Sequence, residues 1–110
     1  MQVPAFMKDP PVDPKTSMAF SLGPVTDSAA LALLEADIAA AADEGSREMT
    51  IDLGRLVTLE PTVIRALIRM RRSMNELGGH ISLAVGRKAV RETLRVTALD
   101  RLFAIVESAA

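Results

Sequence analysis

Residues 48–77, EMTIDLGRLVTLEPTVIRALIRMRRSMNEL, change their apolar period halfway along, and that change sets what the chain can become. Met49, Ile51 and Leu53 alternate with Thr50 and Asp52, the period of two of a strand with one apolar face. Gly54 breaks the run. Val63, Leu67, Met70, Met74 and Leu77 then recur at spacings of 4, 3, 4 and 3, which draws one stripe along a helix, and Ile64 and Ile68 widen it. Arg65, Arg69 and Arg72 fall on another face. Pro61 follows Glu60 as a first helical residue, where its missing N–H costs nothing. The loop Val57–Pro61 therefore delivers Glu60 and Thr62 to a helix N-terminus beside the end of a strand. In open α/β sheets, ligands and partners arrive there, and the free N–H groups and helix dipole favour negative charge, including a phosphate.

The same alternation extends over the chain. Residues 1–17 carry four of the six prolines and read as a Pro-rich arm, in which Gln2–Met7 is a candidate edge strand. Residues 18–108 form the domain. Met18–Leu22 is a strand with Met18, Phe20 and Leu22 on one face, ended by Gly23-Pro24. Asp27 or Ser28 caps a helix built on Ala29, Leu31, Leu33, Leu34, Ile38, Ala41 and Ala42, and Gly45 ends it. Gly78-Gly79 closes the helix 61–77. His80–Val85 is a third strand. Gly86 leads into a basic helix, Arg87–Val96, with Val90, Leu94 and Val96 inward. A helical turn at Ala98–Leu102 and a strand at Phe103–Val106 follow. Strands alternating with helices predict an α/β fold of two or three layers with a largely parallel sheet.

Composition removes several classes of function. With 110 residues this is one domain, able to bury a core without disulfides. The absence of Cys excludes thiolate metal sites and fits a reducing cytoplasm. A net charge of −1 gives no reason to expect nucleic acid, and three Phe with no Trp or Tyr offer no base-stacking platform. No apolar run approaches the ~20 residues of a membrane span, and Lys8 and Asp9 come too early for a signal peptide. One His cannot make a His-rich metal site. No Gly-rich phosphate loop, Ser/His/Asp arrangement or metal-ligand spacing is present, so neither catalysis nor a cofactor is expected.

Three segments in register resemble the STAS domain, the fold of bacterial anti-sigma-factor antagonists. FSLGPVTDSAALALLEADIAAA resembles its opening strand, turn and first helix. MTIDLGRLVTLEPTVIRAL resembles its central strand, turn and helix. ELGGHISLAVGRKAVRETLRVTALDRLFAIVES resembles its closing segment, with Ala98 where the family usually has Gly. The resemblance implies a single α/β domain with a mixed, mostly parallel sheet of four to five strands and about four helices. It also implies a non-enzymatic interaction module that captures an anti-sigma factor or serine kinase-like protein and is released by phosphorylation. The family's acceptor is a Ser within Asp-Ser-Ser-Gly. In register, that pattern becomes Glu60-Pro61-Thr62-Val63. The carboxylate is kept, but Pro61 stands at the acceptor position and cannot be phosphorylated.

Thr62 is thus either a moved phosphoacceptor or a first-turn residue whose hydroxyl helps satisfy the free N–H groups. Glu60 either positions a partner or meets the helix dipole. Arg65 and Arg69 read as a partner face. Arg71 and Arg72 read as solvated, with Arg72 and Glu76 spaced as an i,i+4 pair. The expected contact surface comprises Leu59, Glu60, Pro61, Thr62, Arg65 and Arg69, with Thr26 and Asp27 from the turn before the first helix. Partner switching or scaffolding is the leading function. A docking subunit of a membrane transport ATPase, or a nucleotide or small-molecule sensor, are the alternatives. No nucleic acid, membrane insertion or metal is expected, and a homodimer stays open.

Overall fold

The computed structural model describes residues 17–108. Residues 1–16 of the Pro-rich arm, with the candidate strand Gln2–Met7, lie outside them, while Ser17 opens the first strand rather than ending the arm. Chain order gives β1 (Ser17–Ser21), α1 (Ser28–Asp43), β2 (Glu48–Asp52), α2 (Pro61–Glu76), β3 (His80–Val85), α3 (Lys88–Val96), a 3₁₀ turn (Leu99–Arg101) and β4 (Ala104–Glu107). The sheet order is β1-β2-β3-β4, and every neighbouring pair is parallel. Over the described residues the sheet is four-stranded with three α-helices and one 3₁₀ turn, as expected of the α/β fold, and its strands are all parallel rather than mostly so.

Parallel neighbours need crossovers, and right-handed crossovers between consecutive strands place every helix on the same face. The register shows the consequence. Phe20, Ile51, Leu83 and Ile105 form one row across the sheet, flanked by Met49 and Ile81. These residues pack with Leu34 and Ile38 of α1, Val63, Leu67, Met70 and Met74 of α2, and Val90 and Leu94 of α3. Ile51, Leu67 and Leu83 are wholly buried. The alternate row, Ser21, Asp52, Ala84 and Val106, points to the other face; three of its members are small or polar, and Val106 on the edge strand is exposed. The fold is a two-layer α/β arrangement with its core between helices and sheet.

All three helices end in one way. The residue after the C-cap turns left-handed, so that its N–H and the next one can fold back on the helix's last carbonyls. Gly45 (φ 102°) does this after α1 and Gly78 (φ 81°) after α2. The closing bonds are Ser46 N–H to the Ala41 carbonyl, 3.0 Å, and Gly79 N–H to the Met74 carbonyl, 2.8 Å. After α3 the left-handed residue is Ala98, φ 62°, the position where the sequence departs from the expected Gly.

Two apolar residues expected on the inward stripes are exposed: Val96, the last residue of α3, at 68%, and Leu77, just past α2, at 50%. Val96 comes two residues after Leu94 and so lies off the stripe that Val90 and Leu94 share. Met18 is on the core side with Met49 but belongs to the edge strand β1 and is partly exposed. The Arg72–Glu76 pair is not formed among the described residues. Holding two long exposed side chains together costs entropy that a solvent-screened contact does not recover.

Candidate partner-docking site

The β2–α2 loop is shaped by its leucines. Leu53, Leu56 and Leu59 recur every third residue and are all buried, pinning the loop to the core. Its backbone is closed by Leu53 N–H on the Ala84 carbonyl, 2.7 Å, and Leu56 N–H on the Leu53 carbonyl, 3.0 Å. Asp52 fixes the loop's start. Its Oδ1 accepts from Gly54 N–H and from the Ser108 hydroxyl, each at 2.8 Å. With the leucines turned down, Glu60, Pro61 and Thr62 are left on the surface. Leu59 was expected on the contact surface. Instead it supports the surface from beneath, at 6% exposure.

Pro61 opens α2 as its first residue, with Glu60 as N-cap. The Glu60 side chain makes no capping bond, while its carbonyl accepts from Ile64 N–H at 3.0 Å. The Thr62 hydroxyl has no hydrogen-bond partner among the described residues, so the expected role in satisfying first-turn N–H groups is not seen. At the neighbouring strand end, the β1–α1 turn begins with a cis Gly23-Pro24 bond. Of the two candidate caps, Asp27 takes the role: its Oδ1 accepts from Ala30 N–H at 2.9 Å.

These two helix starts lie side by side and enclose a groove of about 460 Å³. Thr26 and Asp27 line one wall, and Glu60, Thr62, Arg65 and Arg69 line the other. Six of the eight residues singled out in the sequence therefore share one groove, with Pro61 exposed beside them. Sequence reading missed Leu31, Ala32 and Glu35 of α1, which complete the first wall. Asp27, Leu31 and Glu35 recur at i, i+4 and i+8, so the helical period held the signal. Glu35 closes one end of the groove by accepting from Arg69 Nη2 at 2.6 Å. That hydrogen bond, reinforced by charge attraction, raises the Arg69 pKa above its ordinary value. Arg65 makes no ion pair among the described residues. The groove thus offers an apolar floor patch, the capping carboxylate of Asp27, the uncommitted carboxylate of Glu60 and the unpaired guanidinium of Arg65. That suits a protein surface rather than a reacting group: nothing in it pairs a nucleophile with a base. Among the described residues no group of three or more His, Cys, Asp or Glu could hold a metal ion.

A two-layer sheet of four parallel strands, with polar groups gathered at two adjacent helix starts, has the architecture of a STAS domain. The family model described as "Mlab, STAS domain" matches residues 14–107, and the chain belongs to that family. It is 29% identical over 84 residues to BtrV of Bordetella bronchiseptica, described as an anti-sigma factor antagonist, covering 76% of this chain and 72% of that protein. The crystal structure of an anti-sigma factor antagonist from Mycobacterium paratuberculosis shares the fold. It has a TM-score of 0.62 at 20% identity, with 76% of this chain and 71% of that one covered. The chain is an anti-sigma-factor-antagonist-like STAS domain. Among the described residues, no helix is long and apolar enough to cross a membrane.

Proposed function

We propose that this chain is a non-enzymatic docking module that binds an anti-sigma factor or serine kinase-like protein in the cytoplasm through the groove between the starts of α1 and α2. The observation that supports this reading most directly is the convergence of Thr26, Asp27, Glu60, Thr62, Arg65 and Arg69, from two separate elements, on one open groove. Partner and groove meet at a helix N-terminus, so added negative charge there changes the interface at once.

Pro61 has no hydroxyl, which leaves Thr62 as the acceptor for any phosphate-controlled release. Its hydroxyl is exposed and uncommitted. A phosphate on it would add about −1.5 to −2 charge, next to Glu60 and one turn before Arg65. If no kinase acts on Thr62, the module binds without a switch and serves as a scaffold.

The test is recovery of the protein with its bound partners from the native cell, followed by partner identification and phosphate mapping. A kinase-like anti-sigma factor with phosphate on Thr62 is the outcome expected of a switch. The same partner with no phosphate under any condition identifies a scaffold. Recovery of transport-ATPase subunits alone overturns this reading in favour of a transport role.

A further inference from the structure

Both loops that carry the walls of the docking groove are tied to Asp52 where they leave the sheet. The Asp52 carbonyl accepts from Leu22 N–H at 3.1 Å, where the β1–α1 turn departs. Its Oδ1 accepts from Gly54 N–H at 2.8 Å, where the β2–α2 loop departs. Leu53, Leu56 and Leu59 hold that loop down on the core, so the direction of its first peptide is what the Asp52 side chain sets.

The Asp52 side chain is itself held from beyond the neighbouring strand. Asp52 pairs with Ala84 of β3, and Ala84 with Val106 of β4, so β3 stands between Asp52 and β4. Gly86 and Ser108 come two residues further on, just past the ends of β3 and β4, on the same open face of the sheet. The Ser108 backbone is anchored by its N–H on the Val85 carbonyl, 2.8 Å. Its half-buried hydroxyl reaches past Gly86 and donates to Asp52 Oδ1 at 2.8 Å, across 56 residues of sequence. Gly54 keeps the room for this contact: a Cβ there would collide with the Ser108 hydroxyl and lie 3.0 Å from Asp52 Oδ1. Gly86 lies beside it, where a Cβ would stand 3.7 Å from the Ser108 Cβ. Asp52 Oδ1 thus takes one local and one distant donor, and hydrogen bonds to an ionised acceptor are the stronger kind.

We propose that Ser108 is a positioning residue of the docking groove: through Asp52 it holds the β2–α2 loop, and with it Glu60 and Thr62, in place opposite Thr26 and Asp27. Ser108 does not line the groove, so it acts on docking only through the loop it holds. This deepens the docking reading of the groove and rests on it.

The test compares amide hydrogen exchange and amide resonances of the full chain, measured by NMR, with recovery of bound partner from the native cell. Ser108→Ala should speed exchange at Gly54 about tenfold, the worth of one hydrogen bond to a charged group. It should also move the Glu60 and Thr62 amide resonances and lower partner recovery. Gly54→Ala, which crowds the hydroxyl off Asp52 while both residues stay, should move the same two resonances. Asp52→Asn keeps an acceptor at Oδ1 and should stay near the unmodified chain. Asp52→Ala should have the largest effect, and Ser108→Ala should add nothing to it, because Ser108 acts through Asp52. A serine that only stabilised the fold would add its own cost on either background. Unchanged exchange and resonances in Ser108→Ala, additive effects of the two alanine substitutions, or a displaced loop that recovers as much partner as before each overturns the proposal. Failure of the docking reading looks different: the unmodified chain recovers no partner, while the exchange and resonance changes still uphold the hold of Ser108 on the loop.

Discussion

Arg69 of α2 reaches across the docking groove to Glu35 of α1, closing to 2.6 Å at one end of an otherwise open channel. Their side chains are 58% and 32% exposed, so solvent screens the attraction. The pair therefore contributes shape and charge to the groove more than it holds the helices together. Leu31, Leu34 and Ile38 pack α1 onto the core without it. Glu35→Ala should leave the thermal midpoint close to that of the unmodified protein, and 0.5 M salt should not separate the two by much more. Glu35→Lys places a second cation beside Arg69 and should weaken the partner complex about tenfold. A large loss of thermal stability in Glu35→Ala would show that the pair is structural.

Thr62 provides the charge test of the proposed function. Its side chain touches no described hydrogen-bond partner, so Thr62→Ala should fold and bind as the unmodified chain does. Thr62→Glu adds a carboxylate one turn before Arg65 and next to the free Glu60. It should keep the fold, because a carboxylate in the first turn suits the helix dipole, while partner affinity falls about tenfold. Calorimetric titration of the recovered partner separates the two variants. Equal binding by both would remove Thr62 from the interface.

Ala98 marks a place where the chain is not at its stability optimum. It takes the left-handed turn that Gly45 and Gly78 take after the other two helices. A Cβ in that conformation costs roughly 1–2 kcal/mol. Glycine would relieve this but would also gain freedom in the unfolded chain, which offsets part of the relief. Ala98→Gly should therefore stabilise the domain by about 0.5–1 kcal/mol in urea unfolding with an unchanged m value. A neutral or destabilising result would show that the Ala98 methyl packs usefully.

Much of this fold was readable because period and punctuation agreed. The switch from period two to helical spacing across Gly54 and Pro61 located β2 and α2, and Pro61 and Asp27 stand at the helix starts as their types suggest. The resemblance added the register that placed Glu60-Pro61-Thr62-Val63 at the start of α2. What the sequence hid were relations between elements. Leu59 resembled a contact residue because it borders Glu60, yet it belongs to a leucine spacing that ties the loop down. Glu35 looked like an ordinary helical acid, and only the packing of α1 beside α2 gives it Arg69 as a partner. Val96 is apolar but stands two residues after Leu94, on the solvent side of α3, so its residue type misled where the helical period did not.

On α3, the hydrogen bond from Arg95 holds the Glu92 carboxyl below the usual carboxylate range. A folded pKa below the unfolded one stabilises the fold above the unfolded value and loses that contribution as pH falls through the folded value. The difference in thermal midpoint between the unmodified chain and Glu92→Gln should be small at neutral pH, and should shrink as pH falls below the ordinary carboxylate range and through the lower folded value. A difference that grows on acidification would contradict the sign.

The glycines divide into those needed for conformation and those needed for space. A Cβ on Gly45 would meet nothing within 4 Å, so its cost is only that of the left-handed φ of 102°. Gly79 is the opposite case. It follows the left-handed residue, and a Cβ there would collide with the Met74 methyl and stand 2.7 Å from the Arg47 carbonyl oxygen. Met74 can yield, but the Arg47 backbone leads directly into β2, and its carbonyl already accepts from His80 N–H at 2.8 Å. Relieving the contact would pull the first residues of β2 and β3 apart. Gly79→Ala should therefore destabilise by about 2–3 kcal/mol, against roughly 1–2 kcal/mol for Gly45→Ala. Paired urea titrations measure both. If Gly45→Ala proved the more damaging, the close approach of Gly79 to the Arg47 backbone would not be what constrains this corner of the sheet.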